Sequence, residues 1–264
     1  MQNTIDSPFA PVIGLGAFKS EYSKKGRGRW VPLVAGVIFL LAAPALALLA
    51  IYLAYDSYNT SGLYRVWDAI ALPVLCGGGS GLIGVLALFN TWRNWRLAAA
   101  LYENGVAVLG RKGMQQVAWP DVTAVWQRVT KHYTNGIYTG TTHSYTVQMN
   151  TGEKITLDDR LGKGVADLGV AIQTGVTKSL FPRYWESLQS GQKLTFGPLA
   201  IDRQNLYSGN KVLRWDEIKG IKINKGIVSV RKDKAWLNWT SVTVPQIPNF
   251  FIFYELLGRF AKIE

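Results

Sequence analysis

Two long apolar runs, which are joined by a short polar loop, are the most hydrophobic part of the chain. The runs cover 30–55 and 69–90, and neither contains a charged residue. About 20 apolar residues are enough to cross a bilayer core of roughly 30 Å. Trp30, Tyr55 and Trp92 lie at the ends of the runs, where amphipathic rings favour the headgroup region. The pattern predicts a two-helix transmembrane hairpin over 30–92, and a cleaved signal peptide fits less well because a second span follows.

The basic residues near the two runs predict the orientation of this hairpin. They are concentrated outside it, at Lys19, Lys24, Lys25, Arg27, Arg29, Arg93 and Arg96, whereas the connecting loop holds only Arg65. The positive-inside rule therefore places both termini in the cytoplasm. Residues 1–29 contain prolines and glycines and no sustained period, so we expect a flexible, basic cytoplasmic segment.

The second run contains a glycine cluster that also matches a nucleotide-binding pattern. Residues 79–84 read G-x-G-x-x-G, but that motif needs a preceding strand and a following helix in a βαβ unit. Within a membrane helix, the spacing of Gly77, Gly81 and Gly84 instead predicts close helix packing. Either the first run or a second copy of the chain could supply the partner helix.

After residue 95 the pattern alternates between polar and apolar positions and contains Gly and Asn turns, which predicts antiparallel strands. We expect strands at 98–109, 115–119, 124–133, 144–149 and 154–157, followed by an amphipathic helix over 163–188 that Pro182 ends or kinks.

The same order begins again after 190. Trp119, Val122 and Val125 have the spacing of Trp215, Ile218 and Ile221, and 101–108 is matched to 194–201. Strands at 221–231 and 235–244 and a helix over 249–263, with Asn249 as its N-cap, complete the second half. The sequence thus predicts two similar halves, 97–190 and 191–264, each closed by a C-terminal helix. They form either one joint domain or two small ones.

The strand order, the Leu-x-x-x-Gly segment at Leu101 and the Trp-Pro-Asp-Val segment at Trp119 resemble bacterial pleckstrin-homology-like (PH-like) domains. Together with the hairpin, they are similar to bacterial plasma-membrane proteins of unknown function in which such a domain follows two spans. The resemblance implies an α+β module that binds lipids, peptides or proteins without catalysis. The phosphoinositide pattern of the eukaryotic members has only a loose counterpart here, in Arg203, Lys211 and Arg214.

Residues with catalytic or metal-binding chemistry are scarce in this chain. Its one cysteine, Cys76, lies in the second run, and its two histidines, His132 and His143, flank a Thr-rich hairpin tip without a nearby cysteine or carboxylate. Asp158 and Asp159 are best interpreted as a strand-end turn. We find no catalytic triad and no phosphate-binding loop, so we expect neither an enzyme nor a bound cofactor or metal.

The formal charge of +12 indicates an anionic partner, and for a membrane protein we favour lipid headgroups over nucleic acid. The candidate lipid-surface residues are Lys211, Arg214, Lys222, Lys225, Arg231, Lys232, Lys234, Trp236 and Trp239. A solvated sheet face, whose lysines prevent edge pairing, is the simpler interpretation of the same residues. We therefore expect a non-enzymatic membrane protein whose PH-like module binds lipid headgroups or a protein partner. The alternative is a structural subunit of a membrane complex.

Overall fold

The computed structural model describes Phe9, residues 14–24 and residues 27–264. The chain divides into two compact units. One, the helical unit, covers 24–97, and the other, the sheet unit, combines the part before residue 24 with 98–264. The expected flexible segment 1–29 lies partly outside the described residues, at 1–8, 10–13 and 25–26.

The helical unit consists of two long helices. Helix α1 covers Arg27–Ser61 and α2 covers Val66–Arg93, with a short 3₁₀ turn at Leu63–Arg65 between them. Both helices extend beyond the apolar runs and contain prolines without losing continuity. By length and composition, both are able to cross a membrane. The expected helical hairpin is therefore present.

The first half of the sheet unit contains two antiparallel sheets and a helix. The strands of its four-stranded sheet are β1 (Phe18–Ser23), β2 (Ala98–Tyr102), β3 (Gly105–Gly110) and β4 (Gly113–Ala118). Those of its three-stranded sheet are β5 (Val122–Thr134), β6 (Ile137–Met149) and β7 (Lys154–Asp158). Helix α3 (Val165–Gln189) follows.

The second half has the same order of elements. Its four-stranded sheet contains β8 (Leu194–Phe196), β9 (Leu199–Ile201), β10 (Asn205–Ser208) and β11 (Lys211–Arg214). Its three-stranded sheet contains β12 (Ile218–Asn224), β13 (Ile227–Lys232) and β14 (Asn238–Thr243), and α4 (Phe250–Leu257) follows. Both halves belong to one compact unit, and the fold class is a helical hairpin plus an antiparallel α+β unit.

The expectation of an unstructured N-terminal segment is wrong for residues 18–23. Strand β1 pairs antiparallel with β2, with Glu21 opposite Ala100 and Ser23 opposite Ala98. Phe9 and Leu15 are also buried, in a cluster with Tyr102. Because the partner strand lies beyond the helical unit, no local signal in the sequence identifies β1. The helical unit connects β1 with β2, whereas Gly197 and Pro198 alone connect the corresponding strands β8 and β9.

Several predicted boundaries need correction. The strand expected at 98–109 is a hairpin, since the chain turns at residues 103–104. Pro182 lies inside α3, which continues to Gln189. The last helix ends at Leu257 rather than at 263, because the chain after Gly258 leaves the helix and Ile263 bridges to Ile221 of β12. Asn249 is the N-cap residue of that helix and its carbonyl accepts from the Phe253 N–H, but its side chain makes no capping hydrogen bond.

The two tryptophans of the repeated spacing make matching hydrogen bonds. The Trp119 indole donates to the Glu103 carbonyl (3.1 Å), and the Trp215 indole donates to the Asp202 carbonyl (3.0 Å). Their backbone N–H groups donate to the carbonyls of Asn104 and Gln204. The β2–β3 turn therefore corresponds to the β9–β10 turn. The match of 101–108 with 194–201 is wrong by one strand, because it pairs β2–β3 with β8–β9 instead of β9–β10.

Candidate functional site

The strongest candidate surface lies on the outward face of the β12–β13–β14 sheet. Val228, Val230 and Val242 point inward and are buried. The alternate positions point outward, with Lys222 opposite Ser229 and Ser229 opposite Ser241. Two-residue periodicity thus gives this sheet one apolar face and one polar, basic face.

Three cations surround a shallow depression on this face. Lys222, Lys225 and Arg231 line it, and Asn224, Ile227, Ser229 and Asn238 complete the lining. The amide of Asn238 donates to the Ser241 hydroxyl at 3.3 Å, and the hydroxyls of Ser229 and Ser241 are 3.1 Å apart. Within the part of the chain that the structure describes, none of the three cations has an ion pair or hydrogen bond.

Two other candidate cations already have carboxylate partners. Arg214 contacts Asp216 at 2.9 Å, and Lys232 contacts Glu217 at 3.0 Å. The hydrogen bond from Lys232, followed by that from the Arg214 backbone, lowers the pKa of Glu217. Lys211 is exposed, but it lies with Arg214 on β11 of the other sheet. The predicted basic set is therefore divided between two sheets and between paired and unpaired cations.

The loop between β13 and β14 exposes two large apolar side chains. Trp236 is 97% exposed and Leu237 is 80% exposed, whereas Trp239 on β14 is half-buried. Lys234 holds a left-handed backbone conformation in this loop, and Arg231 lies opposite Asn238 at its base. We call residues 233–237 the tryptophan loop. It presents an exposed aromatic and an exposed aliphatic side chain in a loop that also contains Lys234.

The candidate packing glycines of α2 face α1. A Cβ on Gly84 would lie 2.7 Å from the Leu40 backbone nitrogen, and a Cβ on Gly77 or Gly81 would lie 3.2–3.3 Å from Leu46 or Ala43. Gly78 and Gly79 have open space around them. Of the two partners that the sequence left open, the first helix is the one that these glycines contact.

A basic and aromatic contact at the base of the helical unit was not identified from the sequence. Nη2 of Arg29 donates to the Trp95 carbonyl at 2.6 Å, and the guanidinium lies 3.9 Å from the centre of a Trp95 ring. The rings of Trp30 and Trp95 also pack edge to face, at 5.9 Å between ring centres. Arg29 thus holds the start of α1 against the end of α2, in addition to being one of the charges that predict topology.

Strands β5 and β6 form a long ribbon that also was not predicted as a surface. Residues 128–139 are all exposed, and the ribbon carries Val129, Tyr133, Ile137 and Tyr138 without cover. Strand β7 pairs only with 144–148 of β6, so 129–142 stands as a two-stranded ribbon.

The histidines of the ribbon have different partners. Nε2 of His132 lies 2.9 Å from the Thr142 hydroxyl, whereas His143 lies beside Asp159. Among the described residues, no group of three or more Cys, His, Asp or Glu side chains is arranged to hold a metal ion.

A family of unknown function, DUF6585, matches residues 8–263, which is nearly the whole chain. Among curated proteins, none matches the chain.

Proposed function

The chain belongs to this family of unknown function, and we propose that it is a non-enzymatic, membrane-anchored protein whose sheet unit binds the membrane surface. The observation that carries the proposal is the tryptophan loop, where Trp236 and Leu237 are exposed beside Arg231 and Lys234. Tryptophan favours the headgroup region of a bilayer, and each cation near an anionic surface contributes about 1 kcal/mol.

The anchoring part of the proposal rests on the helical unit. The apolar side chains of α1 and α2 are mostly exposed, as expected of helices that face lipid and not of helices in a protein core. Because β1 pairs with β2, the chain leaves and re-enters the same sheet, so the two spans would return it to one side of the membrane. The excess of Lys and Arg outside the connecting loop favours the cytoplasmic side of a plasma membrane. A bacterial source stays a prediction.

We also propose that the two halves of the sheet unit are two copies of one PH-like module. Each half has four strands, three strands and a helix in the same order. The matching hydrogen bonds of Trp119 and Trp215 support a common ancestor more strongly than the element order does, because unrelated sheets have no reason to share them.

A depth measurement in proteoliposomes tests membrane binding by the loop. The full chain with Cys76→Ala carries a single nitroxide label at Leu237→Cys, and the control carries it at Asn210→Cys in the β10–β11 turn. In vesicles of phosphatidylcholine and phosphatidylglycerol, the label at 237 should become accessible to oxygen and protected from an aqueous nickel chelate. The label at 210 should remain aqueous. An aqueous label at 237 would contradict the proposal.

The β5–β6 ribbon favours a second candidate function, that of a subunit in a membrane complex. An isolated two-stranded ribbon is marginally stable in water, and its exposed Tyr133, Ile137 and Tyr138 would gain from a protein partner. No acidic residue occurs between Asp121 and Glu153, so an acidic protein surface would fit. Crosslinking in native membranes, followed by mass measurement in detergent, tests this. The triple variant Tyr133→Ser/Ile137→Ser/Tyr138→Ser should lose the complex, whereas Thr130→Ser/Thr139→Ser should keep it.

A further inference from the structure

We propose that the depression lined by Lys222, Lys225 and Arg231 is a binding site for a phosphomonoester group. The inference deepens the proposed membrane function and rests on it for the source of the ligand, since the same group occurs in lipid headgroups and as free phosphate. It concerns a discrete site on the sheet face, whereas the tryptophan loop needs only an apolar interface and a diffuse negative charge.

Among the described residues, the three cations of the depression lack the carboxylate partners that other cations of this half have. Arg214 and Lys232 show that cations in this half acquire carboxylate partners where one is near. Lys222, Lys225 and Arg231 have none within the described residues, although they line one depression. Like charges on one surface repel one another, so an anion that binds among them is attracted by all three. The arrangement therefore points to a ligand of opposite charge.

The sheet places the three cations around one depression. Lys222 and Arg231 both point outward, because Lys222 is opposite Ser229 and Arg231 is two residues further along β13. Lys225 occupies the β12–β13 turn with a left-handed backbone (φ 49°), which fixes it beside the end of β12. The two strands and the turn between them therefore bring the three residues to the lining of one depression.

The hydrogen-bond donors around the depression suit a phosphate group. Arginine binds two phosphate oxygens at once through its planar fork, and lysine adds a compact charge. Asn238 and Ser229 place amide and hydroxyl groups in the same lining. A phosphomonoester presents three acceptor oxygens and a charge between −1.5 and −2 near neutral pH. A phosphodiester presents a single charge, so it would leave more of the three cations uncompensated.

Calorimetric titration of the full chain in a neutral detergent tests the site. The probes are dibutanoyl phosphatidic acid, which is a phosphomonoester, dibutanoyl phosphatidylglycerol, which is a diester, and inorganic phosphate. The test variant is Lys222→Gln/Arg231→Gln. The control variant is Lys178→Gln/Arg183→Gln, which removes one exposed Lys and one exposed Arg from α3.

We expect the native chain and the control variant to bind phosphatidic acid more tightly than phosphatidylglycerol. The affinity of the test variant should fall by roughly fivefold for each cation removed, with the preference lost. Binding of inorganic phosphate as tightly as phosphatidic acid supports the site and identifies free phosphate as the source. Equal affinity for the two lipids, or equal losses in the test and control variants, overturns the site. Neither result affects the depth of the tryptophan loop, which tests the proposed membrane function separately.

Discussion

Asn249 and Val125 are joined by two hydrogen bonds that connect the two halves of the sheet unit. The backbone N–H of Asn249 donates to the Val125 carbonyl at 2.8 Å, and the Val125 N–H donates to Oδ1 of Asn249 at 2.9 Å. The Asn249 amide also donates to the Thr123 carbonyl and the Tyr184 hydroxyl. One buried residue of the second half thus satisfies the free edge of β5 in the first.

Ile221, which follows Trp215 at the spacing at which Val125 follows Trp119, has its backbone N–H and carbonyl hydrogen-bonded in the same way. Ile221 donates to the Lys262 carbonyl at 3.0 Å and accepts from the Glu264 N–H at 2.8 Å. In both halves, the first strand of the three-stranded sheet therefore has its outer edge covered at the same position. At these positions the edge cannot pair with a strand of another molecule.

Replacing Asn249 should destabilise the sheet unit. Asn249→Ala leaves the buried N–H of Val125 without an acceptor and strains a left-handed backbone (φ 52°), so we expect a loss of about 3 kcal/mol. Chemical unfolding of the full chain in detergent, followed by tryptophan fluorescence, measures it. Asn210→Ala in an exposed turn is the control. Equal stabilities of the two variants would show that the bridge between the halves is dispensable.

Close packing of the two long helices should depend on Gly84 and not on Gly79. A Cβ at position 84 meets the backbone of Leu40, so Gly84→Ala should lower the stability of the helical unit by about 1–3 kcal/mol. Gly79→Ala adds a methyl group in open space and should be neutral. Thermal unfolding in detergent compares the two. A larger effect at position 79 would mean that the glycines serve another contact.

Arg29 should matter as a guanidinium and not only as a positive charge. Arg29→Lys keeps the charge that the positive-inside rule requires, but it loses the planar group that lies on Trp95 and reaches its carbonyl. We expect a loss of about 1–2 kcal/mol with unchanged topology. Thermal unfolding and protease accessibility of the termini measure the two quantities. Arg93→Lys, at an exposed site in α2, should change neither.

Asp202 should make stability depend on pH in the acid range. Burial acts to raise the pKa of its carboxyl, but hydrogen bonds from Tyr207, Gln204 and Asn205 lower it below its ordinary value of 3.8. The bond to Asp202 also raises the pKa of Tyr207. A carboxyl with a lowered folded pKa stabilises the fold above its unfolded pKa, and this contribution is lost as pH falls through the folded pKa.

The difference in Tm between the native chain and Asp202→Asn should therefore be largest at neutral pH and should shrink below pH 3.8. Asp233→Asn, at an exposed position in the tryptophan loop, serves as the control. A difference in Tm that stays constant down to strongly acidic pH would show that the Asp202 carboxylate contributes nothing through its charge.

The features that could be predicted from the sequence have local signals. Continuous apolar runs identify α1 and α2, because a run of this length predicts a long helix without knowledge of its tertiary contacts. The apolar residues three and six positions after Trp119 and after Trp215 identified matching positions in the two halves. Each tryptophan begins a 3₁₀ turn before a three-stranded sheet. Strand β1 has no such signal, because its pairing depends on residues beyond the helical unit. The match of 101–108 with 194–201 failed for the same reason, since it began from β2 and overlooked β1.

The candidate surface could be predicted only in part. Clustered lysines marked the region, but burial and pairing depend on the three-dimensional arrangement. Trp236 and Trp239 are three residues apart, and only the structure shows that the first is exposed and the second half-buried. Likewise, Glu217 is far from Lys232 in sequence, so the pairing that separates Lys232 from the unpaired cations has no sequence signal.

The connection of β1 to β2 through the helical unit has a consequence for biosynthesis. During translation β1 leaves the ribosome before either helix, and its partner strand appears only after both helices have been made. If the two helices span a membrane, as proposed, insertion of only one of them would leave β1 and β2 on opposite sides, and the four-stranded sheet would lack an edge strand. Under that proposal, completion of the sheet requires that β1 and β2 lie on the same side of the membrane. A chain that fails this step would expose the unpaired edge of β2, which is then free to pair with strands of other molecules.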